Sequence, residues 1–563
     1  MCGIAGVVSR EKADVRSELR TMLETMHHRG PNGAGYVIGN SISRGDDVAS
    51  LDWERAHGHI ALGHTRLAVV GGPVGTQPFI GGHGRVTVLH NGEIYNYKEL
   101  RPHLEGKYTF TSRTDSEVLA HLIANHYIDD LALATEKALR QCDGVYAVAA
   151  TDGHSVVIAR DPIGVRQLYV GQKGHLFAFA SEKKSLWAIG IEEEIQRLLP
   201  GQCLTIYPDG IMPRYYDPAE LIPDHESIAD QAEAVRAYGQ ALEAAVAKRI
   251  QNQERIGIIF SGGIDSLLIA QVAKRLGANI TCYTAGHAES SDLQAAIAIA
   301  QEMGLELIPV PLTEEGILKL IPEIIHVIED RSLGQIEVAV PVFVAVQAAY
   351  HDNQLVLLTG QGADELFGGY PWYRTILEKE GYAQFQFRMQ DDLLHLYKET
   401  LEREDKIAMA HSIELRVPYL DPQVISIAMG IAPELKISRD NNAPDKHIHR
   451  ELSIEEGISP RWAMRPKEAA QHGAGVHSIF YALAERHGFS QDTAIQCGYS
   501  AEDNMVEKLG SSSRYGYRYG DHTMWEPQDH IQLFLDSIAY EHDLLNTGEK
   551  AKIEMFLNKA ATH

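Results

Sequence analysis

Up to about residue 215 the apolar positions come in short runs, among them HIALGHTRLAVV (59–70), RVTVLHNGEIY (85–95) and YAVAATDGHSVVIARD (146–161), separated by Gly, Pro and Asp. Runs of this length between turn residues predict a β-rich domain. The polar, proline-bearing stretch PRYYDPAELIPDHESI (213–228) breaks the pattern, and helical spacing follows over 229–249. A boundary is predicted there, giving domains 1–215 and 216–563. The period then changes. RIGIIF (255–260) reads as a buried strand, SLLIAQVAKRLG (266–277) as a helix closed by Gly277, and NITCYTAG (279–286) as a strand, which is a β-loop-α-β unit. SDLQAAIAIAQEMG (291–304) predicts a second helix with a Ser/Asp start and a Gly stop, followed by the strands LELIPVPL (305–312) and LVLLTG (355–360). This alternation predicts a parallel sheet covered by helices. Beyond about 390 the spacing is mainly helical, the Gly, Ser and Tyr cluster SSSRYGYRYG (511–520) fits no element, and no repeat is present.

Composition narrows the class. A chain of 563 residues predicts two to four domains. Apolar residues at 44% and charged residues at 23% are ordinary for a soluble globular protein, and no unbroken apolar stretch is long enough to span a bilayer. The N-terminus turns polar at Ser9, against a signal peptide. No membrane partner is expected. A net charge of −25 without a basic stripe argues against nucleic acid as the main partner. Five widely spaced cysteines, with no CxxC pair, fit a reducing, cytoplasmic setting, and the 27 histidines show no metal-ligand spacing.

Three stretches carry chemistry. MCGIAG opens the chain, and removal of Met1 would give Cys2 both a thiol and an α-amine of pKa ~7.7–8.0, so that one residue holds a nucleophile and its base. FSGGIDS (260–266) lies between a predicted strand and helix, where its glycines let backbone N–H groups approach an anion at the helix N-terminus. It lacks the lysine of the common phosphate loop, and Asp265 is placed to hold Mg²⁺ against phosphates. TGQGADELFGGY (359–370) also leaves the carboxyl end of a strand, so Asp364 is a second candidate Mg²⁺ ligand; the plainer reading is an acidic first turn of a helix.

In this order MCGIAG, HRGPNGAG (28–35), TRLAVV (65–70), NGEIYN (91–96), TDSEV (114–118), SGGIDS, TGQGADELFGGY and IELRVPYLD (413–421) resemble the glutamine-hydrolysing asparagine synthetase family, over roughly the first 480 residues. The resemblance implies an α+β N-terminal-nucleophile sandwich (αββα), followed by an α/β nucleotide α-hydrolase domain with a parallel sheet. It also implies roles. Cys2 attacks the side-chain amide of glutamine, and Asn91 with the Gly92 N–H binds the oxyanion. Glutamine is held by Arg66, Leu67, Val69, Val70, Asn91, Gly92, Glu93 and Asp115, with Arg66 on its α-carboxylate and Glu93 and Asp115 on its α-ammonium. ATP lies on Ile259, Ser261, Gly262, Gly263, Asp265, Ser266, Ala285, Thr359 and Gly360. Mg²⁺ bridges Asp265 and Asp364 to the phosphates, and Lys467 stabilises charge as a carboxylate forms its acyl-adenylate and ammonia displaces AMP. The implied partners are glutamine, ATP and aspartate or another small carboxylate, with a homo-oligomer as the implied assembly.

Two positions depart from the family pattern. Gln361 stands where asparagine synthetases commonly have a glutamate that is a candidate acid/base, and glutamine accepts no proton at neutral pH. Alignment of SLGQIEVAVP (332–341) puts Gly334 and Glu337 where bacterial relatives have threonine and arginine. Either Glu337 favours an acceptor with a positive group, or it points elsewhere. Gln361 and Glu337 are therefore the acceptor-site candidates. Three functions follow: an asparagine synthetase, the same two half-reactions on another carboxylate, or a nucleotide-binding regulatory homologue.

Overall fold

The computed structural model describes residues 2–72, 74–207, 210–215, 227–440, 443–466, 468–501, 518–519, 522–523 and 528–561. The chain forms two units, Met1–Glu220 with Met409–Glu414, and Leu221–Ala408 with Leu415–His563. A single cut after 215 was expected. The difference is the segment Met409–Glu414, whose Met409 packs against Leu67 and Val69, and whose Ser412 Oγ donates to the His28 carbonyl at 2.7 Å.

The first unit is built from β1 (Cys2–Ser9), β2 (Ala34–Ile38), β3 (Ser41–Gly45), β4 (Ile60–Arg66), β5 (Phe79–Gly81), β6 (Val86–Ile94), β7 (Gly144–Thr151), β8 (Val156–Arg160), β9 (Tyr169–Lys173), β10 (Leu176–Ala180), β11 (Gln196–Arg197), β12 (Gln202–Tyr207) and β13 (Gly210–Tyr215). Among the described residues these form one sheet in the order β11-β9-β10-β1-β4-β2-β3 and another in the order β13-β12-β8-β7-β6-β5. The layering follows from the period-two alternation of each strand. In β1, Ile4 and Val8 face a core shared with Leu89, Ala147 and Ile158 of the other sheet. Ala5 and Val7 face the opposite way, onto Leu19, Met22 and Leu23 of the helix Arg16–Thr25. On the second sheet Val86 and Val88 turn outward to Val118, Leu119 and Leu122 of the helix Asp115–His126. Helix, sheet, sheet and helix thus stack in four layers around three apolar cores, as the αββα expectation requires.

In the second unit, β14 (Ile256–Ile259), β15 (Ile280–His287), β16 (Glu306–Leu312), β17 (Val356–Leu358) and β18 (Glu414–Arg416) form a sheet in the order β16-β15-β14-β17-β18. β14 pairs in parallel with β15 on one side and with β17 on the other. Strand order therefore reverses at β14, and the crevice at the carboxyl ends of β14 and β17 is a topological switch point. Pro309 and Pro311 sit in β16, an edge strand, where missing N–H donors cost no ladder bonds. The helix Leu333–His351 has the length and apolar composition of a bilayer-spanning segment, although Gln335 and Glu337 interrupt its apolar run; it is mostly buried and packs on β14, β15 and β16. The cluster 511–520 lies outside the described residues apart from the short strand Arg518–Tyr519.

One buried charge in this unit carries a stability prediction. Lys436 is fully buried, its Nζ has no partner among the described residues, and burial alone pushes it down from 10.5 to about 7. Between those values the unfolded chain holds a proton that the folded chain lacks, so this lysine makes stability rise as pH climbs from about 7 to 10.5. Lys436→Met is expected to stabilise the fold at pH 7 by a few kcal/mol and to flatten that rise, read by calorimetry. A lower melting temperature at pH 7 would contradict it.

Candidate active site

Strand parity sets the first cluster. Cys2 shares its face with Ile4, Arg66 with Leu62, and Asn91 and Glu93 with Leu89, so all four side chains start from the inner faces of the two sheets. Register places Cys2 opposite Arg66 at the end of the β1–β4 pair. The Cys2 backbone N–H donates to Asn91 Oδ1 at 2.9 Å, which joins the two sheets at this point. Asn91 is completely buried, and its Nδ2 has no partner among the described residues. Such a donor is costly to bury unless something accepts from it. Gly92 has φ +154°, and a Cβ there would lie 2.0 Å from the Val145 carbonyl oxygen, so only glycine fits beside Asn91.

The segment after β4 folds back over the Arg66 guanidinium, which donates to the carbonyls of Val70 and Gly72. Leu67 is buried, Val69 and Val70 are half-buried, and the Leu67 N–H faces the Cys2 sulfur. Asp115 starts its helix and accepts from the Ile94 N–H at 3.0 Å. Burial, then the nearby Asp115 and Glu93 carboxylates, push the Tyr97 phenol up. Burial also raises the Cys2 thiol, against the pull of the chain's terminal ammonium, the Leu67 N–H and Arg66. The sulfur is thus a buried thiol rather than a preformed thiolate.

Two supports of this cluster escaped the sequence reading. Arg29, fully buried, donates from Nε to the Cys2 carbonyl at 3.1 Å and from Nη1 to Glu182 at 2.8 Å, fixing the start of β1. His90 stands 3.0 Å from Ser116 Oγ and 3.7 Å from Asp115 Oδ2, and Gln77 brackets its backbone through the N–H and the carbonyl. Arg29 sits inside HRGPNGAG and was legible as part of a motif. His90 carried no signal beyond its place before Asn91.

At the switch point of the second unit, Ser261, Gly262 and Gly263 join β14 to the helix Ile264–Arg275. Gly262 has φ +70°, and a Cβ would lie 2.8 Å from the Ala296 backbone nitrogen, so this turn needs glycine. Ser266 Oγ donates to the Gly263 carbonyl at 3.2 Å, and Arg465 reaches from the Gly262 carbonyl, 3.3 Å, to Asp292, 2.8 Å. Ile259 ends β14, and buried Ala285 lies in the neighbouring β15. Thr359 is buried and donates its N–H to the Arg416 carbonyl at 3.1 Å. A Cβ on Gly360 would lie 3.0 Å from Asp265 Cβ and 3.1 Å from the Ser266 nitrogen, so the turn after β17 lies directly on this helix N-terminus. The turns after β14 and β17, which carry most of the residues expected around ATP, therefore lie against each other.

Asp265 and Asp364 converge on Lys446, whose Nζ is 2.7 Å from Asp265 Oδ1 and 2.6 Å from Asp364 Oδ1. His449 Nε2 is 3.1 Å from the same Asp265 oxygen, and the Tyr419 hydroxyl donates to the Asp265 carbonyl at 2.8 Å. Lys446 is wholly buried and held at φ +59°, a left-handed conformation unusual for a lysine. Sequence reasoning passed over it. Two hard anionic oxygens meeting around one cation fit a magnesium site in donor type and charge, and Lys446 supplies a positive charge there. Lys467 lies outside the described residues.

Both acceptor-site candidates have partners inside the chain. Glu337 is buried with Oε1 2.7 Å from His477 Nδ1, and that hydrogen bond raises the His477 pKa. Of the two readings of Glu337, this hydrogen bond agrees with the one in which it turns to a partner of its own. Gln361 donates from Nε2 to Glu404 Oε1.

A glutamine amidotransferase domain family matches residues 37–208, and an asparagine synthase family matches 237–390 and 377–495. The glutamine-hydrolysing asparagine synthetase homologue of Methanocaldococcus jannaschii is 32% identical over 538 residues, covering 87% of this chain and 97% of that one. The chain belongs to the glutamine-hydrolysing asparagine synthetase family. Asparagine synthetase 3 of Arabidopsis thaliana is 30% identical over 508 residues, with 85% of this chain and 80% of that one covered. Asparagine synthetase 2 of Oryza sativa subsp. japonica is 30% identical over 506 residues, covering 85% and 78%. The glutamine phosphoribosylpyrophosphate amidotransferase structure of B. subtilis aligns at 16% identity with a TM-score of 0.36, covering 79% of this chain and all of that one, too distant to carry an argument. As an asparagine synthetase, the chain joins a glutamine amidotransferase domain to an ATP-using asparagine synthase domain.

Proposed function

We propose that the chain moves the amide nitrogen of glutamine onto the β-carboxylate of aspartate, converting ATP to AMP and pyrophosphate. In the first unit, with Met1 processed off, the Cys2 thiol gives its proton to its own α-amine as the sulfur attacks the glutamine amide carbon. A thiol raised by burial needs such a base. Asn91 orients that amine through Oδ1 and offers Nδ2, with the Gly92 N–H, to the oxyanion. The amine then returns the proton to the departing ammonia, and water releases glutamate. Arg66 meets the α-carboxylate of glutamine, with Leu67, Val69 and Val70 as the wall around it, while Glu93 and Asp115 meet the α-ammonium.

In the second unit Ser261, Gly262, Gly263 and Ser266 cradle the phosphates at the helix N-terminus, and Ile259, Ala285, Thr359 and Gly360 border the nucleoside. Asp265 and Asp364 would hold Mg²⁺, which when bound offsets phosphate charge. Lys446, released from the two carboxylates, and Lys467 would then meet the pyrophosphate and the developing charge at the α-phosphorus. A carboxylate oxygen of aspartate attacks that phosphorus, pyrophosphate leaves, and ammonia displaces AMP from the acyl-adenylate.

The observation that carries this reading is the meeting of Asp265 and Asp364 on Lys446 at the switch point, because a homologue reduced to nucleotide binding has no use for two acids converging there. The pairing of Glu337 with His477 favours aspartate over an acceptor chosen for a positive group. Gln361 supports a second reading, the same half-reactions on a different carboxylate. Pyrophosphate release screened across small carboxylic acids separates them. Stimulation by aspartate is expected, and stimulation only by another acid would overturn the aspartate assignment.

A further inference from the structure

Glu404, on the helix Glu402–Ala410, is the buried acid that Gln361 touches. Its side chain is 1% exposed, Oε1 accepts from Gln361 Nε2, and Oε2 has no hydrogen-bond partner among the described residues. Gln361 follows Gly360, whose backbone lies against Asp265 and the Ser266 nitrogen, so this carboxylate is anchored one residue from the phosphate cradle. The two other acids of that cradle, Asp265 and Asp364, are held by Lys446.

Making an amide from ammonia and an acyl-adenylate requires a proton acceptor. The nitrogen lone pair forms the C–N bond while the carbonyl π pair moves to oxygen. As the carbonyl re-forms, the bond from the acyl carbon to the phosphate oxygen breaks and its pair leaves with AMP. The nitrogen still carries three hydrogens and must lose one. Gln361 takes none, because an amide is not basic at neutral pH.

We infer that Glu404 is the base of this step, with Oε2 taking the ammonium proton and Gln361 orienting the carboxylate through Oε1. This rests on the proposed amide-forming activity. Charged and polar neighbours suit the role. Arg403 Nη2 is 3.5 Å from Oε1, and the rest of the Arg403 guanidinium is turned to Gln335, 2.7 Å, and the Glu399 carbonyl, 2.9 Å. From the helix Ala363–Phe367, buried Glu365 adds a like charge and itself accepts from the Tyr370 hydroxyl at 2.7 Å. Burial first, then Glu365, lift Glu404 to about 7 against the pull of Arg403 and the Gln361 amide. A carboxyl poised there is half ionised at neutral pH and strong enough as a base to accept the proton.

The test uses the full-length enzyme with ammonia, ATP, Mg²⁺ and whichever acid supports exchange of pyrophosphate into ATP in the wild-type protein. Glu404→Gln keeps the shape and removes a buried charge, so folding is expected to be intact, checked by melting temperature. Exchange is expected to persist, amide formation to fall ~10²-fold or more, and the acidic limb of its pH profile, centred near 7, to vanish. Adding Gln361→Glu to that variant is expected to restore part of the rate and an acidic limb, which a merely structural glutamate would not allow. The inference is overturned if E404Q forms amide at the wild-type rate with its acidic limb in place, or if exchange and amide formation fall by the same factor without rescue by Q361E. Wild-type exchange that answers to no carboxylic acid would instead sink the synthetase reading.

Discussion

Cys2→Ala is expected to abolish glutamine-supported amide formation, by at least ~10³-fold, while amide formation from added ammonia persists. The sulfur is the sole nucleophile proposed for the first unit. It lies buried opposite Arg66, with the Leu67 N–H beside it and Asn91 holding the adjacent nitrogen. Alanine removes the attacking atom and leaves β1, the Asn91 bond and the Arg29 anchor in place. Paired assays of glutamate release and of amide formation, with either nitrogen source, check both halves of the expectation. Glutamine-supported synthesis that survives the substitution would place the nucleophile elsewhere.

Asp364→Asn gives the complementary result. Its carboxylate is one of two around Lys446, and a neutral amide removes both a proposed cation ligand and half of the charge that balances that buried lysine. Pyrophosphate release is expected to fall by at least ~10²-fold, while glutaminase activity stays near wild type. Unfolding is also expected at lower denaturant, because breaking a buried pair leaves a charge uncompensated. Equal loss of both activities would show a folding defect rather than a local one, and unchanged pyrophosphate release would remove Asp364 from the synthetase site.

Much of this architecture was legible because the two halves of the chain use different periods. The alternation of Ile4, Val8, Leu62 and Leu89 with their outward neighbours makes one face of each sheet inward, and it carries Cys2, Arg66, Asn91 and Glu93 inward with them. The switch point was legible from where SGGIDS and TGQGADE follow their strands. What escaped depends on distance along the chain rather than on local pattern. Lys446 lies far in sequence from Asp265 and Asp364, in a stretch whose spacing reads as an ordinary helix start. Glu404 reads as one charge among the run EREDK, and only its bond to Gln361 and its free oxygen set it apart. Glu337 is a similar case: two readings were open in the sequence, and its partner His477 lies far along the chain.

The most direct measurement of the two-reaction scheme follows the nitrogen itself. With glutamine labelled by ¹⁵N in its side-chain amide, together with aspartate, ATP and Mg²⁺, the label is expected in the side-chain amide of asparagine, matched by one AMP and one pyrophosphate for each asparagine formed. Glutamate and labelled ammonia accumulating without asparagine, or ADP and phosphate appearing in place of AMP and pyrophosphate, would contradict it.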